Sequence, residues 1–233
     1  MCLYRYCFMK ISKLKNLIIS IFQNHNLSKS HSIICANALV NAELVGAPSH
    51  GAARIISYCN RIKKKVIKPK PKIKIKKIAS SITSIDADNA VGFIGADLGI
   101  NHAINNAKKT GIGFVSVKNS GHYGLSGYYA ERAAKKGLLA FCFTNAPPAI
   151  APHGTKKTLF GTNPICFACP TGTKVPFVLD TSISMINRGK IRRAAKLGET
   201  IPLGVALDKK GNPTTDPKKA LEGLQLPIAR FRG

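Results

Sequence analysis

A histidine placed among glycines is the first residue of this chain that could do chemistry. His122 stands in the segment 119–124, Asn-Ser-Gly-His-Tyr-Gly, between an apolar run and an amphipathic segment. A strand that enters a glycine-containing loop and then a helix is a common way to hold a polar group over the end of a sheet. Because imidazole titrates near neutral pH, His122 suits general acid–base catalysis, whereas a lone loop histidine is more often only a polar residue.

A second histidine shifts this balance towards catalysis. His50 lies in a Ser-His-Gly segment that follows a proline, and Ser49 is placed to cap a helix beginning near Gly51. From His50 the spacing to Arg54, Tyr58 and Arg61 is four, four and three residues. That spacing predicts that the four side chains share one helix face.

The elements that would position these residues follow from hydrophobic periodicity and turn signals. The chain is predicted to be helical up to residue 64 and to alternate strands with helices further on. Helices are predicted over 11–21, 28–44, 51–64, 96–109, 125–135 and 184–197, and strands over 73–85, 112–117, 138–144 and 175–179, with a turn at 86–89 and a turn-rich tail over 208–226. Strand–helix–strand order indicates an α/β protein whose sheet is at least partly parallel.

Composition allows several classes of protein. The 233 residues suffice for one large domain or two small ones, and the hydrophobic share of 45% is ordinary. The net charge of +26 is not ordinary, and it fits either a nucleic-acid or anionic-surface partner or a biased composition acting on surface sites. The densest basic run, residues 63–77, alternates lysine with apolar residues as an edge strand does. It contains no aromatic residues to stack on single-stranded nucleic acid.

The cysteines and the N-terminus predict a cytoplasmic protein. Seven cysteines, an odd number, are spread widely through a chain too long to need disulfide bonds. Cys166 and Cys169 have the spacing of a zinc half-site, but no second pair follows, so we expect buried strand cysteines and no metal. No signal peptide is recognisable, and the apolar segment 17–22 is too short to span a bilayer.

No common nucleotide-binding motif is present. The glycine fingerprint of dinucleotide-binding enzymes and the P-loop are both absent from the sequence. The segment Asp180, Thr181 and Ser182 lies between a predicted strand and a predicted helix, where hydroxyls and free amides can hold a phosphate or a ribose. Taken alone, the segment is as well explained as an ordinary helix cap.

The ordered set of motifs, however, resembles one family. It is similar to the malate/L-lactate dehydrogenase family of the second type, which includes ureidoglycolate, sulfolactate and diketogulonate-type dehydrogenases and is unrelated to the Rossmann-type enzymes. The similarity runs from about Ile11 to Gly233. The motifs that carry it are Ser49-His50-Gly51 with Arg54 and Tyr58, the segment 119–124, Thr144-Asn145, Ala151-Pro152, Gly161-Thr162-Asn163-Pro164, Asp180-Thr181-Ser182, Gly189-Lys190, Ile201-Pro202 and Asp216-Pro217.

The resemblance implies a fold and an activity. The fold would be α/β, a mixed sheet with helices on both faces and a non-Rossmann cofactor-binding topology, preceded by an N-terminal helical segment. We expect residues 1–70 to form that helical part and 71–233 the cofactor-binding part, without the family's C-terminal portion. The activity would be hydride transfer between NAD, or alternatively NADP, and a small 2-hydroxy or 2-keto acid, in a cytoplasmic homodimer.

The resemblance also assigns roles to residues. His122 would be the acid/base, with His50 as the second catalytic histidine. Ser49, Arg54 and Tyr58 would bind the substrate, and a guanidinium at Arg54 suits a carboxylate. The predicted cofactor contacts are Asn145, Asp180, Thr181, Ser182 and Arg232, the last standing where the family has a lysine.

Two alternatives stay open at this point. Members of the family continue beyond the end of this chain, so the sequence also fits a truncated, inactive remnant that has lost core partners. The charge of +26 fits a basic nucleic-acid-binding protein, although the lysines are scattered and do not form one basic segment. The sequence does not specify which hydroxy acid would be used.

Overall fold

The structure is a computed structural model that describes residues 9–152 and 154–228. It consists of two compact units, Met1–Ala133 and Ala134–Gly233. The first unit extends past residue 70 because the N-terminal helices share one hydrophobic core with the strand and helix that follow them. The division into a helical part, residues 1–70, and a cofactor-binding part, residues 71–233, stays a prediction.

The first unit begins with three helices. They are α1 (Ile11–Asn24), α2 (Lys29–Leu44) and α3 (Ile55–Lys63). The side-chain oxygen of Ser28 accepts a hydrogen bond from the backbone of His31 at 3.2 Å and thereby caps α2. The predicted helix over 51–64 is shorter than expected, because two short 3₁₀ turns, Pro48–His50 and Ala52–Arg54, precede α3. His50 therefore lies outside the helix that carries Tyr58.

A small mixed sheet follows. Its strands are β1 (Lys74–Lys77), β2 (Ile82–Ala90) and β3 (Phe114–Ser120), with α4 (Gly92–Thr110) between β2 and β3. Strand β2 is antiparallel to β1 and parallel to β3. The turn predicted over 86–89 is instead an irregularity within β2, where Asp88 and Asn89 adopt positive φ angles of 48° and 58°. Helix α5 (Ser126–Ala134) follows β3.

The core of this unit brings the helices onto the sheet. Apolar side chains of α1, α2, α3 and α4 pack together with the inner face of β2. Several large side chains there are almost completely buried, namely Ile18, Phe22, Leu39, Tyr58, Phe93 and Ile94. Each such side chain contributes roughly 1.5–3 kcal/mol to folding. The core thus fixes both Tyr58 and the N-terminus of α4.

The second unit contains an antiparallel sheet and a turn-rich remainder. Its elements are β4 (Ala140–Phe143), β5 (Ile165–Cys169), β6 (Phe177–Thr181), α6 (Arg188–Leu197), β7 (Ala206–Leu207), α7 (Pro217–Glu222) and β8 (Leu224–Gln225). Strand β5 is central, between β4 and β6. The strand predicted over 175–179 and the helix predicted over 184–197 both begin later than expected. Asn187 caps α6 by accepting from the backbone of Lys190 at 2.8 Å.

The two faces of the β4–β5–β6 sheet differ. On one face Ala140, Cys166 and Ala168 are buried, and Cys166 is a buried strand cysteine as predicted. Cys169, at the end of β5, is only half-buried. Burial and the nearby negative charge of Asp180 raise the pKa of the Cys166 thiol to about 12, so the thiol stays protonated and unreactive at neutral pH. The opposite face exposes aromatic side chains.

The predicted α/β class with a mixed sheet is confirmed by these elements. Among the residues that the structure describes, no helix is long and apolar enough to cross a membrane.

Candidate active site

The turn that carries His50 is held by an acidic side chain from α2. A carboxylate oxygen of Glu43 accepts a hydrogen bond from the backbone N–H of Ala52 at 2.7 Å. A Cβ atom at Gly51 would lie 2.2 Å from that same oxygen. Only glycine lets the carboxylate reach the chain here, which gives the Ser-His-Gly segment a structural reason. The side-chain oxygen of Ser49, an exposed residue, lies 3.1 Å from Nδ1 of His50.

The loop that carries His122 rests directly on the first residue of α4. A Cβ atom at Gly92 would lie 2.2 Å from the carbonyl oxygen of Gly121 and 2.4 Å from that of His122. Gly124 adopts a φ of 81°, and a Cβ there would lie 2.8 Å from the ring of Phe93. Two glycines, one on each side of the contact, therefore bring the backbone of His122 onto α4.

Four side chains converge in this unit. The hydroxyl of Tyr58 lies 2.6 Å from Nδ1 of His122. The rings of His50 and His122 stack with their centroids 5.7 Å apart and their planes 19° from parallel. The positive charge of Arg54 acts on the Tyr58 hydroxyl and opposes the rise of its pKa. Phe93 packs edge-on against the Tyr58 ring at 5.1 Å, so the cluster is attached to the core.

The surroundings of His122 favour the neutral imidazole. Dehydration of the ring by neighbouring atoms is the largest cause, and the positive charges of Arg54, His50 and Arg61 act in the same direction. Together they lower the pKa of His122 to about 3. Solvent still reaches part of the residue, which is exposed as a whole. At neutral pH the ring is thus an unprotonated base, open on one side.

The same cations make the site attractive to an anion. Burial raises the pKa of Tyr58 above its ordinary value, although Arg54 opposes that shift, so Tyr58 is a neutral hydroxyl and does not neutralise the guanidinium. The Nε atom of Arg54 is buried and has no hydrogen-bond partner among the residues described. A guanidinium with unused donors beside a neutral base is suited to a carboxylate with a hydroxyl or keto group next to it.

In the second unit, sheet topology brings three loops to one end of the sheet. Residue 143 at the end of β4 pairs with Ile165 at the start of β5, and Ile165 pairs with Thr181 at the end of β6. The loops that contain Asn145, Asn163 and Ser182 therefore all lie at this end. None of these residues is close to another in the sequence.

Short contacts hold these loops together. The side-chain oxygen of Asn163 accepts from the backbone of Ala146 at 2.9 Å, and the carbonyl of Thr162 accepts from the backbone of Ile183 at 2.9 Å. A Cβ at Gly161 would lie 2.0 Å from the carbonyl oxygen of Ala146. The loop after β4 is thus packed against the Gly-Thr-Asn-Pro segment.

The donor set at this end of the sheet fits a nucleotide sugar. Asp180 is exposed, Thr181 and Ser182 are half-buried, and the two hydroxyls hydrogen bond to nearby backbone carbonyls, at 3.2 Å and 3.3 Å. A carboxylate with adjacent hydroxyls can exchange such local bonds for the hydroxyls of a ribose. The predicted cofactor residues Asn145, Asp180, Thr181 and Ser182 all lie at this end of the sheet.

The sequence matches a known protein family. The sequence model of the family described as malate/L-lactate dehydrogenase matches residues 9–233.

The chain belongs to the malate/L-lactate dehydrogenase family.

Individual relatives extend this finding. The malate/(S)-sulfolactate dehydrogenase of Methanothermus fervidus is 39% identical over 219 residues, which are 94% of this chain and 64% of the relative. The (2R)-3-sulfolactate dehydrogenase (NADP(+)) of Chromohalobacter salexigens is 36% identical, over 94% of this chain and 66% of its own length. Relatives named for NAD(+) and for NADP(+) both occur. The chain thus spans less than two thirds of the length of these relatives.

Solved structures of the family share the fold. The sulfolactate dehydrogenase from Methanocaldococcus jannaschii superposes with a TM-score of 0.88 at 39% identity, over 96% of this chain and 65% of that one. The α/β architecture is therefore that of the malate/L-lactate dehydrogenase family.

In this family member, the residues predicted from sequence fall into two groups. His50, Arg54, Tyr58 and His122 converge in the first unit, with Ser49 beside His50. Asn145, Asp180, Thr181 and Ser182 belong to the second unit, and Arg232 lies outside the described residues. In the described ranges, no group of three or more His, Cys, Asp or Glu side chains is arranged to hold a metal ion.

Sequence analysis missed several residues that shape these sites. Gly92, Phe93 and Glu43 position the two histidines, and Asn163 positions the loop after β4. Asn163 belongs to the Gly-Thr-Asn-Pro motif of the family, but the motif does not indicate what its side chain contacts. Gly92 has one weak signal, its place where a strand gives way to a helix. Glu43 has no such signal in the sequence, because its contact with the backbone of Ala52 depends on how α2 meets the following turn.

Proposed function

We propose that this chain is an oxidoreductase of the malate/L-lactate dehydrogenase family that transfers a hydride between NAD(P) and a small 2-hydroxy or 2-keto acid. The observation that carries the proposal is the neutral imidazole of His122 held near the half-buried Arg54, whose buried Nε has no hydrogen-bond partner among the residues described. A base and a carboxylate-binding cation are the two groups that oxidation of a 2-hydroxy acid requires.

The residues of the first unit would act in the following way. The guanidinium of Arg54 binds the carboxylate and fixes the carbon next to it, which limits the substrate to one orientation. His122 takes the hydroxyl proton in oxidation and returns it to the keto oxygen in reduction. NAD(P), when bound, supplies the acceptor or donor of the hydride. His50, stacked on His122, adds positive charge near the developing oxyanion when it is protonated.

The cofactor assignment concerns the second unit. We propose that Asn145, Asp180, Thr181 and Ser182 contact the cofactor, with NAD as the first choice and NADP as the second. The donor set and the shared end of the sheet support this assignment. An assay that varies NAD and NADP separately distinguishes the two, since the 2′-phosphate of NADP disfavours a carboxylate in contact with the ribose.

Assembly is a further part of the proposal. We propose a homodimer, as the family resemblance implies. The support from this chain is the exposed face of the β4–β5–β6 sheet, where Phe141, Phe143 and Phe177 are 60%, 66% and 51% exposed. Contiguous apolar patches of this kind commonly mark protein interfaces. Sedimentation of the wild type and of a Phe141→Ser variant tests this, and a monomeric wild type would contradict it. The cytoplasmic location stays a prediction.

The activity is tested by nicotinamide absorbance. Purified protein is supplied with NAD or NADP and, in turn, with malate, lactate, sulfolactate and ureidoglycolate, and with pyruvate and oxaloacetate in the reverse direction. We expect turnover of at least one pair. Failure on all of them, together with absence of cofactor binding by calorimetry, would refute the proposal and favour an inactive remnant. A cooperative thermal melt establishes beforehand that the chain is folded.

A further inference from the structure

A second donor determines the direction of the hydrogen bond between Tyr58 and His122. Either atom could donate on distance alone, since the Tyr58 hydroxyl and Nδ1 of His122 are 2.6 Å apart. The backbone N–H of Gly124, however, points to the same Nδ1 at 3.3 Å, and an N–H can only donate. Nδ1 of His122 is therefore the acceptor.

The electrostatics around the hydroxyl agree with this direction. The positive charge of Arg54 acts on the phenolic oxygen of Tyr58 and favours negative charge there. The single proton of the hydroxyl is therefore directed away from Arg54 and towards Nδ1 of His122. Burial of Tyr58, which is only 2% exposed, excludes water as a competing partner.

We propose that Tyr58 is a positioning residue that holds His122 in the tautomer whose proton is on Nε2. Sequence analysis assigns Tyr58 to the substrate, but the single proton of its hydroxyl is already donated to His122. This inference rests on the proposed function for its catalytic meaning, while the tautomer itself is a property of the protein alone. With the proton on Nε2, the transfers in the two directions balance as follows. In reduction Nε2 gives its proton to the substrate oxygen while Nδ1 takes the proton of Tyr58, whose phenolate then faces the positive charge of Arg54. In oxidation both protons move back.

The structure shows why a further contact is needed to select the tautomer of His122. The stacking of His50 and His122 at 5.7 Å restricts the ring to one plane but does not select a tautomer. The cationic surroundings keep His122 neutral, so exactly one of its two nitrogens carries a proton. Without the Tyr58 hydroxyl, only the longer bond from Gly124 would bias that choice. A mixed population of tautomers would present the wrong nitrogen part of the time.

The test compares Tyr58→Phe with Tyr129→Phe. Tyr129 is equally buried, at 2% exposed, and its hydroxyl donates to the carbonyl of Tyr123 at 3.0 Å without touching the His122 ring. Each protein is labelled with ¹⁵N histidine, and the His122 signals are assigned with a His122→Gln variant. Protonated and unprotonated ring nitrogens resonate in separate ranges, so the spectrum reports the tautomer directly.

We expect wild type and Tyr129→Phe to show a proton on Nε2 and a bare Nδ1, and Tyr58→Phe to show a mixture. In turnover, Tyr58→Phe should lower kcat about ten- to a hundredfold, as loss of an orienting partner does, with little change in KM. The proposal is overturned if wild-type His122 carries its proton on Nδ1. This outcome can be observed even if the Tyr58→Phe variant does not fold. It is also overturned if Tyr129→Phe moves the His122 signals as far as Tyr58→Phe does.

The two proposals fail separately. If no substrate is turned over but the tautomer changes as expected, the dehydrogenase activity is refuted and the role of Tyr58 stands. If turnover is found but the tautomer is the same in Tyr58→Phe and wild type, the activity stands and the role of Tyr58 is refuted.

Discussion

The unit that contains His122 and the unit that contains Asp180 hold their candidate residues by different means. In the first, side chains of α3, the turn at His50 and the loop after β3 contact one another through rings and a charged guanidinium. In the second, the loops are held by backbone hydrogen bonds and by the close approach of Gly161 to Ala146. One site is held together by contacts between side chains, the other mainly by backbone contacts between loops.

This difference predicts different sensitivities. A site built from side chains should lose its chemistry when a few atoms are removed and keep its backbone. A site built from loops should tolerate single truncations and respond to displacement of the chain. The predictions that follow test this contrast, beginning with the largest expected effect.

Removing the imidazole of His122 should have the largest effect on rate. We expect His122→Ala to reduce hydride transfer by about two to four orders of magnitude, because a positioned acid–base group is lost. Cofactor affinity should be nearly unchanged, since the candidate cofactor residues belong to the other unit. Single-turnover kinetics and calorimetric titration of the cofactor measure the two quantities.

His50→Ala is the matched comparison for that experiment. It removes the ring stacked on His122 but leaves the bond to Tyr58. We expect His50→Ala to lower the rate less than His122→Ala does. A larger part of its total effect should be weaker binding of the substrate. Near-normal rates in His122→Ala together with a severe loss in His50→Ala would reverse the assignment of the base.

Removing the guanidinium should chiefly weaken substrate capture. Arg54→Ala eliminates a charge-assisted contact worth about 1.5–3 kcal/mol, which corresponds to roughly a ten- to 150-fold increase in the dissociation constant of the acid. Binding of a non-reacting dicarboxylate such as oxalate, followed by calorimetry, measures it. Lys190→Ala removes an exposed cation of the second unit and serves as control. Equal losses in both variants would mean that general charge, and not Arg54, attracts the anion.

Glycine-to-alanine substitutions test whether the close backbone contacts at these glycines stabilise the fold. We expect Gly92→Ala to destabilise the protein by about 1–3 kcal/mol, because its Cβ would overlap the carbonyl of Gly121. The same cost is expected for Gly161→Ala, which meets the carbonyl of Ala146. Denaturant unfolding gives the free energies.

Each of these variants has a control in its own unit. Gly121→Ala places its Cβ no nearer than 3.9 Å to another atom, and a Cβ at Gly172 meets nothing within 4 Å, so both should be nearly neutral. Gly92→Ala should also impair turnover through His122, and Gly161→Ala should weaken cofactor binding. If Gly121→Ala costs as much as Gly92→Ala, the contact with α4 is not what fixes the loop.

These glycines also show how far sequence could predict the site. The glycines beside His122 suggest a sharp turn, but only Gly124 has a positive φ, and Gly121 needs no special conformation. The glycine that the loop requires most is Gly92, about thirty residues earlier, whose role depends on where α4 begins. Local patterns predicted α1 and α2 well, because periodicity is a property of neighbouring residues.

Contacts between distant segments could not be predicted in the same way. The bond between Tyr58 and His122 joins residues 64 positions apart, and no spacing rule indicates it. The family resemblance placed both residues in one site, but it did not tell which atoms meet. The convergence of the loops after β4 and β6 likewise follows from strand pairing, which the sequence alone does not specify.

The smallest expected effect concerns acid stability. The pKa of His122 is lowered from 6.5 to about 3 in the folded protein, by dehydration and by the charges of Arg54, His50 and Arg61, while Tyr58 facing it stays neutral. Above pH 6.5 the imidazole is neutral in both states, so its contribution is fully present there. As the pH falls below 6.5 the unfolded chain binds a proton that the folded chain does not, and stability decreases towards pH 3.

Unfolding of wild type and His122→Gln at pH 7.5 and pH 5 measures this contribution. Between these values wild type should lose more free energy of unfolding than the variant, which has no group to titrate at this position. The difference should stay below about 1.4 kcal/mol per pH unit, the limit for one proton, because solvent reaches part of His122. An equal loss in both proteins would show that His122 titrates as it does in the unfolded chain. The first unit would then lack the neutral, cation-surrounded base on which its contrast with the second unit depends.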